Sequence, residues 1–110
     1  MEIATDMPRG FEELWAEYQQ RPRPGNIGDH VSDASLGELD DDVAAAASSY
    51  ADMGEDVPGW HVARLGLALA DVQRVLPDII PVSTQEYFTL VTALATVTLQ
   101  AIAGQPTSRA

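Results

Sequence analysis

Residues 38–50, ELDDDVAAAASSY, set four carboxylates, Glu38, Asp40, Asp41 and Asp42, directly against four alanines. Carboxylates packed this closely do one of three things: they hold a cation, oppose a basic partner, or line the wet edge of a helix. Three consecutive aspartates on a helix point about 100° apart, so they do not converge on one ion without ligands from elsewhere in the fold. No metal is therefore expected here. Near the positive end of a helix dipole each aspartate is stabilised by about 0.3–1 kcal/mol, which accounts for the run as a solvated face. The functional alternative is charge display toward a basic protein, with Glu38, Asp41 and Asp42 sharing the side opposite the apolar stripe.

Charge along the chain keeps that alternative open beside the plainer solvated face. The 110 residues carry 17 acids and six bases, a net charge of −11, and all six bases are arginine. Such a surface repels nucleic-acid backbones and anionic membranes and attracts basic proteins. Between Arg23 and Arg64 there is no positive charge, while Asp29, Asp33, Glu38, Asp40, Asp41, Asp42, Asp52, Glu55 and Asp56 all fall in that window. The expected partner-binding residues are Glu38, Asp40, Asp41, Asp42, Asp52, Glu55 and Asp56.

Other chemistry is poorly represented. Without cysteine there are no disulfides, thiolate ligands or thiol nucleophiles. Without lysine there is no standard phosphate-binding loop, and no serine lies in a nucleophile elbow between glycines. Asp29, His30 and Asp33 are metal-compatible in type, but they sit beside a glycine-containing stretch and lack a further ligand. Trp60 and His61 read as the capped end of a helix, the ring closing the bundle and the histidine facing water. The carboxylate and histidine pairs of di-iron bundles are absent. No catalytic, cofactor or metal site is expected, and the chain does not read as an enzyme.

The elements that must position the acids are helical. Leu36, Leu39, Val43, Ala46, Tyr50 and Met53 recur in steps of three and four, which keeps them on one side of a helix. Val62, Leu65, Leu69, Val72 and Leu76 repeat the pattern, as do Tyr87, Leu90, Leu94, Val97 and Ala101. No stretch shows sustained strand-like alternation. Ser35 with Glu38, and Ser83 with Glu86, fit capping boxes, and Val82 is placed to staple onto Tyr87. Pro58 suits a first turn, whereas Gly54 and Gly104 suit helix stops. Ala44 to Ala47, and Gly66 with Ala70, predict close helix contact.

The expected fold is an all-α, up-and-down bundle in a single domain spanning 1–110. Residues 8–20 form an N-terminal amphipathic helix, 21–34 a linker through QQRPRPGNIGDH, 35–103 a three-helix core, and 104–110 a tail. Phe11, Leu14, Trp15 and Tyr18 line one side of the N-terminal helix, which either docks on its own core or anchors a partner. The last helix is uncharged from Tyr87 to Ala103, short for a bilayer and without flanking basic residues. The expectation is that it packs in a homodimer through 84–103, or else is covered by the N-terminal helix. The N-terminus lacks the basic and apolar pattern of a secretory signal, so a cytoplasmic protein is expected. Three functions remain open: an inhibitor, immunity protein or antitoxin covering a basic nucleic-acid-binding surface; a homodimeric adaptor; and a small enzyme inside the bundle.

Overall fold

The computed structural model describes residues 10–25, 30–31, 34–79 and 82–103. Four helices build a small up-and-down bundle: α1 (Phe11–Gln20), α2 (Leu36–Met53), α3 (Gly59–Val75) and α4 (Val82–Ala103). A two-residue antiparallel ladder, β1 (His30–Val31) with β2 (Ala34–Ser35), leads into α2. Single 3₁₀ turns at Gly54–Asp56 and Leu76–Asp78 follow α2 and α3.

Local chemistry explains most of the boundaries. The Ser35 hydroxyl accepts from the Glu38 amide at 3.4 Å and caps α2. Gly54 ends the same helix at φ 60°, a left-handed conformation that side chains rarely adopt, while its amide donates to the Tyr50 carbonyl. Pro58 takes the cap position just before α3. At the far end of α3 the Gln85 side chain donates to the Leu76 carbonyl at 3.1 Å, tying the first turn of α4 back to the connection. Helix α4 starts at Val82, one residue ahead of the second expected capping box, so Ser83 lies inside the helix. Val82, expected to staple onto Tyr87, is 66% exposed, whereas Tyr87 is buried. Gly104 lies outside the described residues.

One hydrophobic cluster draws on all four helices, with Leu14, Leu36, Val43, Leu65, Val72, Phe88, Val91 and Leu94 among its members. Helix α4 is its centre, packed by α1, α2 and α3. Its threonines fit this setting because they bond to their own helix: Thr89, Thr92, Thr96 and Thr98 each donate to the carbonyl four residues earlier, at 2.7–2.9 Å. Of the two ways of covering an uncharged helix, the structure uses the N-terminal helix. No described helix is long and apolar enough to cross a membrane.

The small residues divide. Ala46 and Ala47 are buried where α2 meets the core. Gly66 and Ala70 were expected to give close contact but lie toward the outside of α3: Ala70 is exposed, and a Cβ on Gly66 would have no neighbour within 4 Å. Trp60, expected to close the bundle end, is 62% exposed and stacks on His61 with ring centroids 3.8 Å apart.

Candidate functional site

Helix α2 buries Leu36, Leu39, Asp40, Val43, Ala46 and Ala47. Spacing of four, three and four residues from Leu36 through Asp40 and Val43 to Ala47 places Asp40 on the inward face, and its side chain is fully buried. The exposure expected for Asp40 is therefore corrected. A buried carboxylate costs several kcal/mol in lost hydration unless charge and hydrogen bonds replace the water. Three side chains from other elements supply them. The Tyr18 hydroxyl of α1 donates to Oδ1 at 2.8 Å, and the Tyr87 hydroxyl of α4 donates to both oxygens at 3.1 Å. Arg23, in the connector after α1, donates to Oδ2 from Nε at 2.9 Å and from Nη2 at 2.6 Å. The same Nη2 reaches Asp41 Oδ1 at 2.6 Å, on the solvent side. Among the described residues no buried side-chain polar atom lacks a hydrogen-bond partner.

The three donors of the cluster are held in their protonated forms. Hydrogen bonds to Asp40, and then to Asp41, raise the Arg23 guanidinium above its already high value. Burial, followed by the hydrogen bonds to Tyr87 and Asp40, pushes the Tyr18 phenol far above its usual 10.0. Burial also raises Tyr87, against an opposing hydrogen bond from Tyr18. With both phenols raised in the folded state, their contribution to stability is fully present below pH 10 and is lost as the pH climbs beyond it, where only the unfolded chain ionises. Urea unfolding followed upward from neutral pH is thus expected to weaken from pH 10 onward, and Tyr18→Phe with Tyr87→Phe to flatten that decline. An unchanged slope in the double variant would exclude the phenols as its source. Both Asp40 oxygens are occupied by donors, so the group acts as an internal staple and has no free lone pair aimed at a substrate.

The outward acids form a separate feature. Glu38, Asp41 and Asp42 line a shallow concavity with Arg64 of α3, and a second one, which shares Glu38, Asp42 and Arg64 with it, runs along Leu67 and Asp71, where Arg74 pairs with Asp71 at 3.2 Å. Asp42 Oδ1 lies 3.8 Å from Arg64 Nη1. Partial burial raises the Asp42 carboxyl, Arg64 opposes the rise, and Glu38 and Asp41 add to it. Arg64 is the one basic side chain in the two linings among the described residues.

The remaining expected site residues disperse. Asp52 is exposed in the last turn of α2, about 15 Å along the axis from Asp42 at 1.5 Å per residue, and Asp56 is exposed in the 3₁₀ turn that follows. The side chain of Glu55 lies outside the described residues, as do Asp29, Asp33 and the side chain of His30. Among the described residues no cluster of metal-ligating side chains occurs. The aromatic anchor of α1 docks on its own core. Leu14 is buried, Phe11 meets Tyr50 edge-on at 4.8 Å, and Trp15 stacks on Tyr18 at 5.8 Å.

The Asp40 cluster is what sequence reasoning missed. Its signal was present in the position of Asp40 on the apolar register of α2, and in two phenols on the apolar stripes of α1 and α4, since buried tyrosine hydroxyls need a partner. Compared with known proteins, the chain matches no family model, no curated protein and no solved structure.

Proposed function

We propose that the protein is a binding module, of the kind that serves as an inhibitor, immunity protein or antitoxin, and that it receives a basic protein surface against the α2 and α3 groove. The observation that carries this reading is the grouping of Glu38, Asp41, Asp42 and Asp71 along two adjoining concavities whose linings share Glu38, Asp42 and Arg64, with Arg23 and Arg74 paired to Asp41 and Asp71 at their rims. A net charge of −11 extends the same field over the molecule and steers a basic partner toward it. Binding is favoured over catalysis because the deepest carboxylate, Asp40, is consumed by internal donors, whereas Glu38, Asp41, Asp42 and Asp71 lie at the surface, the last three beside Arg23, Arg64 and Arg74 in solvent-accessible ion pairs.

Neutralising the groove tests this without touching the buried cluster. Immobilised protein is incubated with host extract at about 0.1 M and about 0.5 M salt, alongside a Glu38→Gln, Asp42→Asn, Asp71→Asn variant. A stoichiometric basic protein should be retained by the wild type at low salt, lost at high salt, and weakened at least tenfold by the variant. Equal retention by the variant would remove the groove from consideration.

A further inference from the structure

Helix α3 presents a second apolar face. Leu65, Ala68, Val72 and Val75 point into the core. On the opposite side Trp60 is 62% exposed and Leu67 is 70% exposed, and Ala63 and Ala70 are exposed with them. These four residues recur in steps of three, four and three, the register of a helix that packs against another helix. We infer that this face is where a second copy of the chain docks, with the two α3 helices antiparallel about a two-fold axis at Leu67.

Self-complementarity identifies the occupant. With the axis at Leu67, Trp60 falls opposite the partner's Arg74, whose guanidinium also bonds Asp71 of its own chain at 3.2 Å, a pairing of aromatic face and guanidinium. Arg64 and the partner's Asp71 come within one residue of each other along the axis, about 1.5 Å, and both lie on the flank facing α2. On the other flank Ala63 comes to the partner's Ala70, small against small, which lets the backbones approach. The Arg64 and Asp71 pairing thus occurs twice by symmetry, and Leu67 meets its own copy at the centre. A parallel arrangement would instead set Arg64 against Arg64 and Asp71 against Asp71.

This surface overlaps the proposed acidic groove only at Arg64, Leu67 and Asp71, and its salt response has the opposite sign. Bringing together two chains of −11 each is opposed by long-range repulsion, which salt screens. Sedimentation equilibrium of the full chain at up to about 0.3 mM, in about 0.1 M and about 0.5 M salt, reads the effect directly. The wild type should dimerise, more tightly at the higher salt. Leu67→Glu should abolish the dimer, Arg64→Glu should weaken it at least tenfold, and Arg64→Glu with Asp71→Arg should restore it. All three positions are on the outer side of α3, and circular dichroism checks that each variant remains folded. A wild-type monomer in both salts overturns the inference, as does a dimer indifferent to Leu67→Glu or a charge swap that fails to restore association.

Discussion

Replacing Asp40 with alanine is expected to cost about 3 kcal/mol of folding free energy, a fall in melting temperature of roughly 15 °C. The change strips the acceptor from two phenols and a guanidinium at once. Tyr87, 3% exposed, is left with a hydroxyl that cannot turn to water, and this is where most of the cost arises. Arg23 is 48% exposed and keeps Asp41, so its share is small. Apolar groups of matched shape should recover much of the loss: Asp40→Leu together with Tyr18→Phe and Tyr87→Phe leaves no orphaned polar atom in the core. Urea denaturation of the two variants separates the contributions. A cost below about 1 kcal/mol for Asp40→Ala would mean that the carboxylate is solvated in the folded protein. For the same reason, changing Asp40, Asp41 and Asp42 together to asparagine does not report on the outer face alone, because one of the three is structural.

Phe88→Ala is expected to cost about 3–5 kcal/mol. The ring is fully buried and meets Tyr87 edge-on with centroids 5.3 Å apart. Truncation removes its transfer free energy and leaves a cavity that three packed helices cannot collapse. Against a total stability of about 5–15 kcal/mol this is a large share, so a lowered, broadened thermal transition is expected by circular dichroism. Phe88→Leu, which refills most of the volume, should cost about 1–2 kcal/mol. If both variants melted with the wild type, α4 would not be the centre of the fold.

How much of this was legible depends on what each residue had to satisfy. The helices were readable because Leu36, Leu39, Val43 and Ala46 obey a single period, and because Ser35 and Gly54 are the residue types that begin and end a helix for local reasons. Asp40 was misread because its charge spoke for the surface while its register spoke for the core. Register prevailed only because Tyr18, Tyr87 and Arg23, 22, 47 and 17 residues away, bring donors that no local window reveals. The small residues of α3 misled in the opposite way. Gly66 and Ala70 suit an interior contact as well as an exposed face, and only the placement of α2 and α4 around α3 decides between them. For the acidic stretch, spacing correctly grouped Glu38, Asp41 and Asp42, whereas Arg64 entered their neighbourhood through tertiary packing.

The placement of Tyr18 and Arg23 has a consequence for how the molecule opens. Both donors arrive on one continuous piece of chain, α1 and the residues just after it. If that piece lifted away, Asp40 would keep only Tyr87, and a carboxylate inside the bundle would be stranded. Terminal helices ordinarily fray at little expense. Here fraying is coupled to an electrostatic penalty at the centre of the protein, so the ten residues of α1 belong to the same cooperative unit as the helices they cover.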